Sequence, residues 1–201
     1  MRNIAIFIFD EVEVLDFCGP FEVFAVTGAR NADKPFNVFT VAENSSPITA
    51  RNGLSVNPNF TFADCPQADI LIIPGGYGTR PLMNNQVVLD WIKAQSQQAE
   101  IVMSVCTGAL LLAKAGLLDG LAATTHWGAM DLLREVAPHS IIQPDKRFVD
   151  NGRVMLSAGI SAGIDLSFHI VEKLLGREVA KETAKWMEYD WKNQDSNTNR
   201  S

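Results

Sequence analysis

Three short runs in this chain lack the polar alternation that a sheet with one wet face imposes: IAIFIF at 4–9, ILII at 70–73 and IVMSV at 101–105. Strands of this kind are buried on both faces, which requires layers of structure above and below the sheet. Residues 37–42 and 154–157 extend the set. Helical segments separate these strands. Residues 84–98 are amphipathic, with Val87, Val88, Trp91 and Ile92 on the inner side, and residues 129–136, 162–175 and 178–191 also read as helices. Strands alternating with helices predict an α/β fold, a mostly parallel sheet with helices on both faces. The stretch 47–62, with turn signals at Asn52-Gly53 and Asn57-Pro58, reads as short edge strands or a hairpin. Pro20 reads as the first turn of a helix that stops at Gly28.

With 201 residues and 47% hydrophobic content, the chain suits one well-packed domain, expected over residues 1–192, with a polar, frayed tail at 193–201. A net charge of −6 gives no electrostatic footprint for nucleic acid or an anionic membrane. No apolar run approaches the ~20 residues of a membrane span, and the first apolar run meets Asp10 and Glu11 too early for a signal peptide. Three widely spaced cysteines, Cys18, Cys65 and Cys106, predict free thiols in a reducing compartment, hence a cytoplasmic protein. They form no metal-binding motif, and no metal or cofactor is expected.

Cys106 stands at a seam. Before it is an apolar strand; after it, TGALLLAKA is rich in helix formers. A lone cysteine is more often core filler. Here the side chain is expected to leave the sheet on a sharp strand-to-helix turn, a nucleophile elbow, facing the free N–H groups of the next helix, which favour a thiolate. Gly75-Gly76, after the strand at 69–74, offers backbone N–H groups near the sulfur; with the Thr107 N–H, one of these is a candidate for stabilising negative charge. The alternative is a tight turn. Among the carboxylates, Asp16 lies between Leu15 and Phe17, where burial would raise its pKa, and Glu22 is its local competitor. His126 is a candidate partner for the cysteine or a packing and capping residue. Cys18 is a candidate pocket residue, and Cys65 reads as structural.

The motifs DILIIPGG at 69–76, SVCTG at 104–108, AGLLDG at 115–120, ATTHW at 123–127 and AGISAGID at 158–165 resemble the ThiJ/PfpI superfamily, relatives of the class I glutamine amidotransferases. The resemblance covers nearly the whole chain. LDFCGP at 15–20, FADCP at 62–66 and TTHW at 124–127 place it nearest the isocyanide hydratase branch. That resemblance implies a flavodoxin-like three-layer sandwich, a homodimer, Cys106 as nucleophile and Asp16 as acid/base partner. It implies hydration of a small isocyanide to an N-substituted formamide through a thioimidate on Cys106. Proteases of the superfamily carry histidine after the cysteine where this chain has Thr107, which argues against amidase or peptidase chemistry. Glyoxalase and deglycase members use a glutamate where Asp16 stands here. A different class of reading is a ligand-binding domain like the N-terminal half of AraC-type regulators. The polar ending after Trp191 and the absence of a basic surface weigh toward an enzyme.

Overall fold

A computed structural model of the protein describes residues 1–28 and 34–191; the expected tail lies outside these residues. Strand β1 (Arg2–Phe7) is followed by α1 (Val14–Val26), β2 (Phe36–Ala42), the pair β3 (Ile48–Thr49) and β4 (Ser55–Val56), and β5 (Phe60–Thr61). Next come β6 (Ile70–Ile73), α2 (Thr79–Leu82), α3 (Gln86–Gln98), β7 (Ile101–Val105), α4 (Gly108–Lys114), β8 (Ala122–Ala123) and α5 (Met130–Val136). Then follow β9 (Ile141–Ile142), β10 (Phe148–Asp150), β11 (Val154–Ser157), α6 (Ala162–Leu175) and α7 (Arg177–Trp186).

The main sheet has the order β10-β11-β7-β6-β1-β2-β5. All its pairings are parallel except β10 with β11. Helices α1, α6 and α7 pack on one another along one face, and α4 packs with α2, α3 and α5 on the other. This is the sheet covered on both faces that the apolar strands predicted, and the three-layer, flavodoxin-like sandwich that the family resemblance implied. Successive residues of β1 (Ile4, Ala5, Ile6) and of β6 (Ile70, Leu71, Ile72, Ile73) are all fully buried, as two covered faces require; each buried Ile or Leu contributes about 1.5–3 kcal/mol. The hairpin signal at Asn52-Gly53 is the turn joining antiparallel β3 and β4, while β5 joins the main sheet.

The chain leaves β1 to build β2 and β5 on one side, then returns to lay β6, β7 and β11 on the other. Loops after β1, β6, β7 and β11 therefore converge at the carboxyl edge, where the strand order reverses and open α/β sheets bind ligands. Among the described residues, no helix is long and apolar enough to cross a membrane.

At three places the structure departs from the local sequence pattern. Helix α1 begins at Val14, six residues before Pro20, which lies inside it. Proline there removes one hydrogen bond, to the Asp16 carbonyl. Packing outweighs it: Gly19 lets α6 approach so closely that a Cβ would stand 2.9 Å from Ile164 Cγ1. Asp16 is thus a first-turn helical residue. Val87 is exposed, the inner face of α3 being Val88, Trp91 and Ile92. Helix α7 stops at Trp186; Tyr189 and Trp191 fold back to stack on Phe168 with ring centroids 5.4 and 5.5 Å apart.

Candidate active site

Strands β6, β7 and β11 end almost level, with Ile73 opposite Ser104 and Val105 opposite Ser157. Cys106, the next residue on the central strand, has φ of 55°, a left-handed conformation that costs a non-glycine residue roughly 1–2 kcal/mol. Its neighbours hold it there. The Cys106 N–H donates to the carbonyls of Ser157 and Ala158, both at 3.2 Å, and its own carbonyl accepts the Thr125 hydroxyl at 2.7 Å. The elbow can bend this sharply because Gly108 has no side chain: a Cβ there would stand 2.0 Å from the Ile73 carbonyl oxygen.

Asp16 reaches the same point from α1 and is fully buried. Its Oδ2 accepts the Gly75 N–H at 3.0 Å, whereas Oδ1 is buried without a hydrogen-bond partner among the described residues. A Cβ on Gly75 would fall 2.5 Å from Thr107 N and 2.8 Å from Asp16 Oδ2, so glycine at 75 is what lets carboxyl and elbow meet. Burial first, with the nearby Glu13 charge adding, pushes the Asp16 carboxyl from 3.8 up to about 7, against the opposing Gly75 N–H.

The Cys106 thiol is pushed up to about 12, first by burial and then by the adjacent Asp16 carboxylate; the Thr107 and Ile160 N–H groups oppose this. The helix N-terminus alone had argued for a free thiolate. It is outweighed because the sulfur is nearly sealed, its residue 6% exposed, and because α4 spans only seven residues. Both shifts are upward, so the pair favours a proton on sulfur beside a carboxyl that holds its own proton more tightly than an exposed one. A carboxyl so poised can both take and return a proton.

The remaining candidates divide. The Gly76 N–H donates to Thr107 Oγ1 at 2.9 Å and the Gly75 N–H to Asp16, so both glycine amides orient protein groups. The Thr107 N–H is the amide of this set that faces the sulfur. His126 caps its own short turn, its Nδ1 accepting the Gly128 N–H at 3.1 Å. Its ring lies against the backbone of Gly159, where a Cβ would meet Cδ2 at 2.3 Å, so it buttresses the loop after β11. Cys18 stands apart from the pair: successive helix residues turn by 100°, and burial alone raises its thiol pKa, with no contribution from Asp16 or Cys106. Glu22 is exposed on α1 and takes no part. All three cysteines are free thiols. Among the described residues no group of three His, Cys, Asp or Glu side chains is placed to hold a metal ion.

Three contributors escaped the sequence reading. Thr125 was legible only as the end of a strand. Thr79, whose hydroxyl bonds the Gly76 carbonyl at 2.8 Å and Thr107 Oγ1 at 3.2 Å, carried no signal. Ile160, at φ of 53°, has an N–H that works against the upward shift of both Cys106 and Asp16. A β-branched residue in this conformation is an outlier.

Fold and site together define an α/β protein with a buried cysteine on a strand-to-helix elbow and a buried acid side chain beside it. The family model described as "DJ-1/PfpI family" matches residues 2–173. The chain is 38% identical over 187 residues to the isonitrile hydratase of Pseudomonas putida, covering 93% of this chain and 78% of that protein. It is 24% identical over 189 residues to the HTH-type transcriptional regulator GbdR of Pseudomonas aeruginosa, 94% of this chain but 51% of the regulator. The crystal structure of a ThiJ/PfpI family protein from Pseudomonas syringae superposes with a TM-score of 0.86 at 29% identity, covering 96% of this chain and 77% of that one. This protein belongs to the DJ-1/PfpI family.

Proposed function

We propose that the protein hydrates a small isocyanide to an N-substituted formamide, with Cys106 as nucleophile and Asp16 as proton shuttle. The observation that carries the reading is the fully buried Asp16 carboxyl beside the Cys106 thiol, one oxygen fixed by the Gly75 N–H. The similarity to the isonitrile hydratase supports the substrate class.

An isocyanide presents a terminal carbon that accepts a soft nucleophile and becomes basic once attacked. Asp16 takes the thiol proton as sulfur bonds to that carbon, then delivers the proton to the same carbon. The product is a thioimidate, R–N=CH–S–Cys106, formed with no net change in protons. Water then adds to the thioimidate carbon. The carboxylate removes its proton and passes it to the substrate nitrogen, leaving R–NH–CH(OH)–S–Cys106. Collapse of this adduct breaks the C–S bond, returns the hydroxyl proton to sulfur through Asp16 and releases R–NH–CHO. The sum is isocyanide plus water to formamide. The Thr107 and Ile160 N–H groups support negative charge on sulfur as it leaves.

The test is turnover of an aromatic isocyanide followed as formamide. Wild type and the Cys18→Ser and Cys65→Ser variants should produce it, and Cys106→Ala should not. Intact mass after rapid quenching should place a substrate-sized adduct on Cys106. Formamide production by Cys106→Ala at the wild-type rate refutes the mechanism. The likeness to a transcriptional regulator over nearly this whole chain favours a second reading, a small-ligand-binding domain. Saturable isocyanide binding without turnover would select it.

A further inference from the structure

The loop 158–161 joins β11 to α6 and carries the Ile160 N–H. Arg147, just ahead of β10, grips this loop at both ends. Its carbonyl accepts the Ala158 N–H at 2.8 Å, and its guanidinium Nη2 donates to Ser161 Oγ at 3.3 Å. Gly159 and Ile160 lie between these two anchors. The Nε of the same guanidinium pairs with Asp165 Oδ2 in the first turn of α6, and Tyr189 donates its hydroxyl proton to Asp165 Oδ1 at 2.9 Å. Tyr189 is itself fixed by stacking on Phe168. The His126 ring closes the other side of the loop at Gly159.

A left-handed β-branched residue persists only where its surroundings over-determine it, and this bracket supplies the constraint. We infer that Arg147, backed by Asp165 and Tyr189, is a positioning residue that fixes loop 158–161 against Cys106, whose N–H donates to the Ala158 carbonyl at 3.2 Å. The inference rests on these two residues being the reacting pair and is independent of the substrate. Charge reaches the pair from Asp16 and Cys106 themselves and from Glu13 ahead of α1; Arg147 and Asp165 act on it through the loop.

The experiment is the pH dependence of Cys106 alkylation by iodoacetamide, with the adduct located by mass and folding checked by circular dichroism. Arg147→Met keeps the carbonyl anchor and the aliphatic stem but removes the guanidinium. With loop 158–161 loosened, the Ala158 carbonyl no longer fixes the Cys106 backbone and the adjacent N–H groups lose their alignment, so the anionic form of the pair is less stabilised. The profile should move to higher pH and the rate at fixed neutral pH should fall about tenfold, the scale of one hydrogen bond to a charged group. Arg147→Lys should be intermediate, and Arg134→Ala, which breaks a surface pair with Asp131, should match wild type. A folded Arg147→Met with the wild-type profile overturns the inference. If that variant fails to fold, Ser161→Ala removes the side-chain anchor alone and must shift the profile the same way; an unchanged profile there is equally fatal. A shifted profile in a protein that hydrates no isocyanide would sustain the positioning role while removing the proposed substrate.

Discussion

Asp16→Asn should make the protein more stable and less active, with the stability gain growing from about pH 4 and complete above about 7. A carboxyl at 3.8 when the chain is unfolded and pushed up to about 7 in the fold binds its proton more tightly in the native state. Its favourable contribution is therefore complete below about 4 and is lost as pH rises through 7. Ionised Asp16 then destabilises the fold by roughly 4 kcal/mol at the nominal 1.4 kcal/mol per pH unit, with relaxation and the coupling to Cys106 reducing the measured figure to about 2–4 kcal/mol. Asparagine keeps the shape and an oxygen for the Gly75 N–H but carries no charge to bury. For a domain of this size 1 kcal/mol moves Tm by about 2–4 °C, so the variant should melt on the order of 5–10 °C above wild type at pH 8 and level with it near pH 4. Differential scanning calorimetry across that range measures it. A Tm at or below wild type at pH 8, or a difference that does not change with pH, would falsify the account of Asp16 as a buried, proton-exchanging carboxyl.

The same carboxyl sets the pH dependence of turnover: kcat/KM for an aromatic isocyanide should rise about tenfold per pH unit below 7 and level off above, because attack needs Asp16 ionised to receive the thiol proton. A profile flat from pH 5 to 9 would contradict this. Gly75→Ala puts a methyl group 2.5 Å from Thr107 N and 2.8 Å from Asp16 Oδ2; displacing the carboxyl by about 1 Å should lower kcat on the order of 100-fold while the fold, read by circular dichroism, survives. Retained activity in that variant would show that the Gly75 approach is dispensable. Leu15, Trp127 and Ile160 are exposed apolar residues on the segments that build the site, at 38%, 82% and 37%, which together with the family likeness leads us to expect a two-fold dimer. Sedimentation at micromolar concentration should show twice the chain mass, and a monomer there would remove the subunit interface from any account of substrate access.

What the sequence determined by itself was whatever local pattern encodes. Unalternating apolar strands fixed a sheet covered on both faces. The β-strand–Cys106–small-residue–helix order fixed an elbow at the sheet's carboxyl edge, whereas the amides of Gly75 and Gly76, read as candidates for stabilising charge, are bonded to Asp16 and Thr107, which only the fold decides. Reading Pro20 as a helix start failed because a local rule about one missing N–H ignored the contact with Ile164 that holds α1 together. The helical pattern at 178–191 outruns the helix, which ends at Trp186, because nothing local shows that Tyr189 and Trp191 gain more by stacking on Phe168 than by extending a helix into solvent. Tertiary structure alone decided the ionisation of the site. Whether a cysteine at a helix N-terminus rests as thiol or thiolate depends on how much water reaches it and which charge lies beside it, and Asp16 is ninety residues away in the chain. The same holds for Thr79, Thr125 and Arg147: their hydrogen bonds join strand ends and loops far apart in sequence, so no pattern of neighbours announces them.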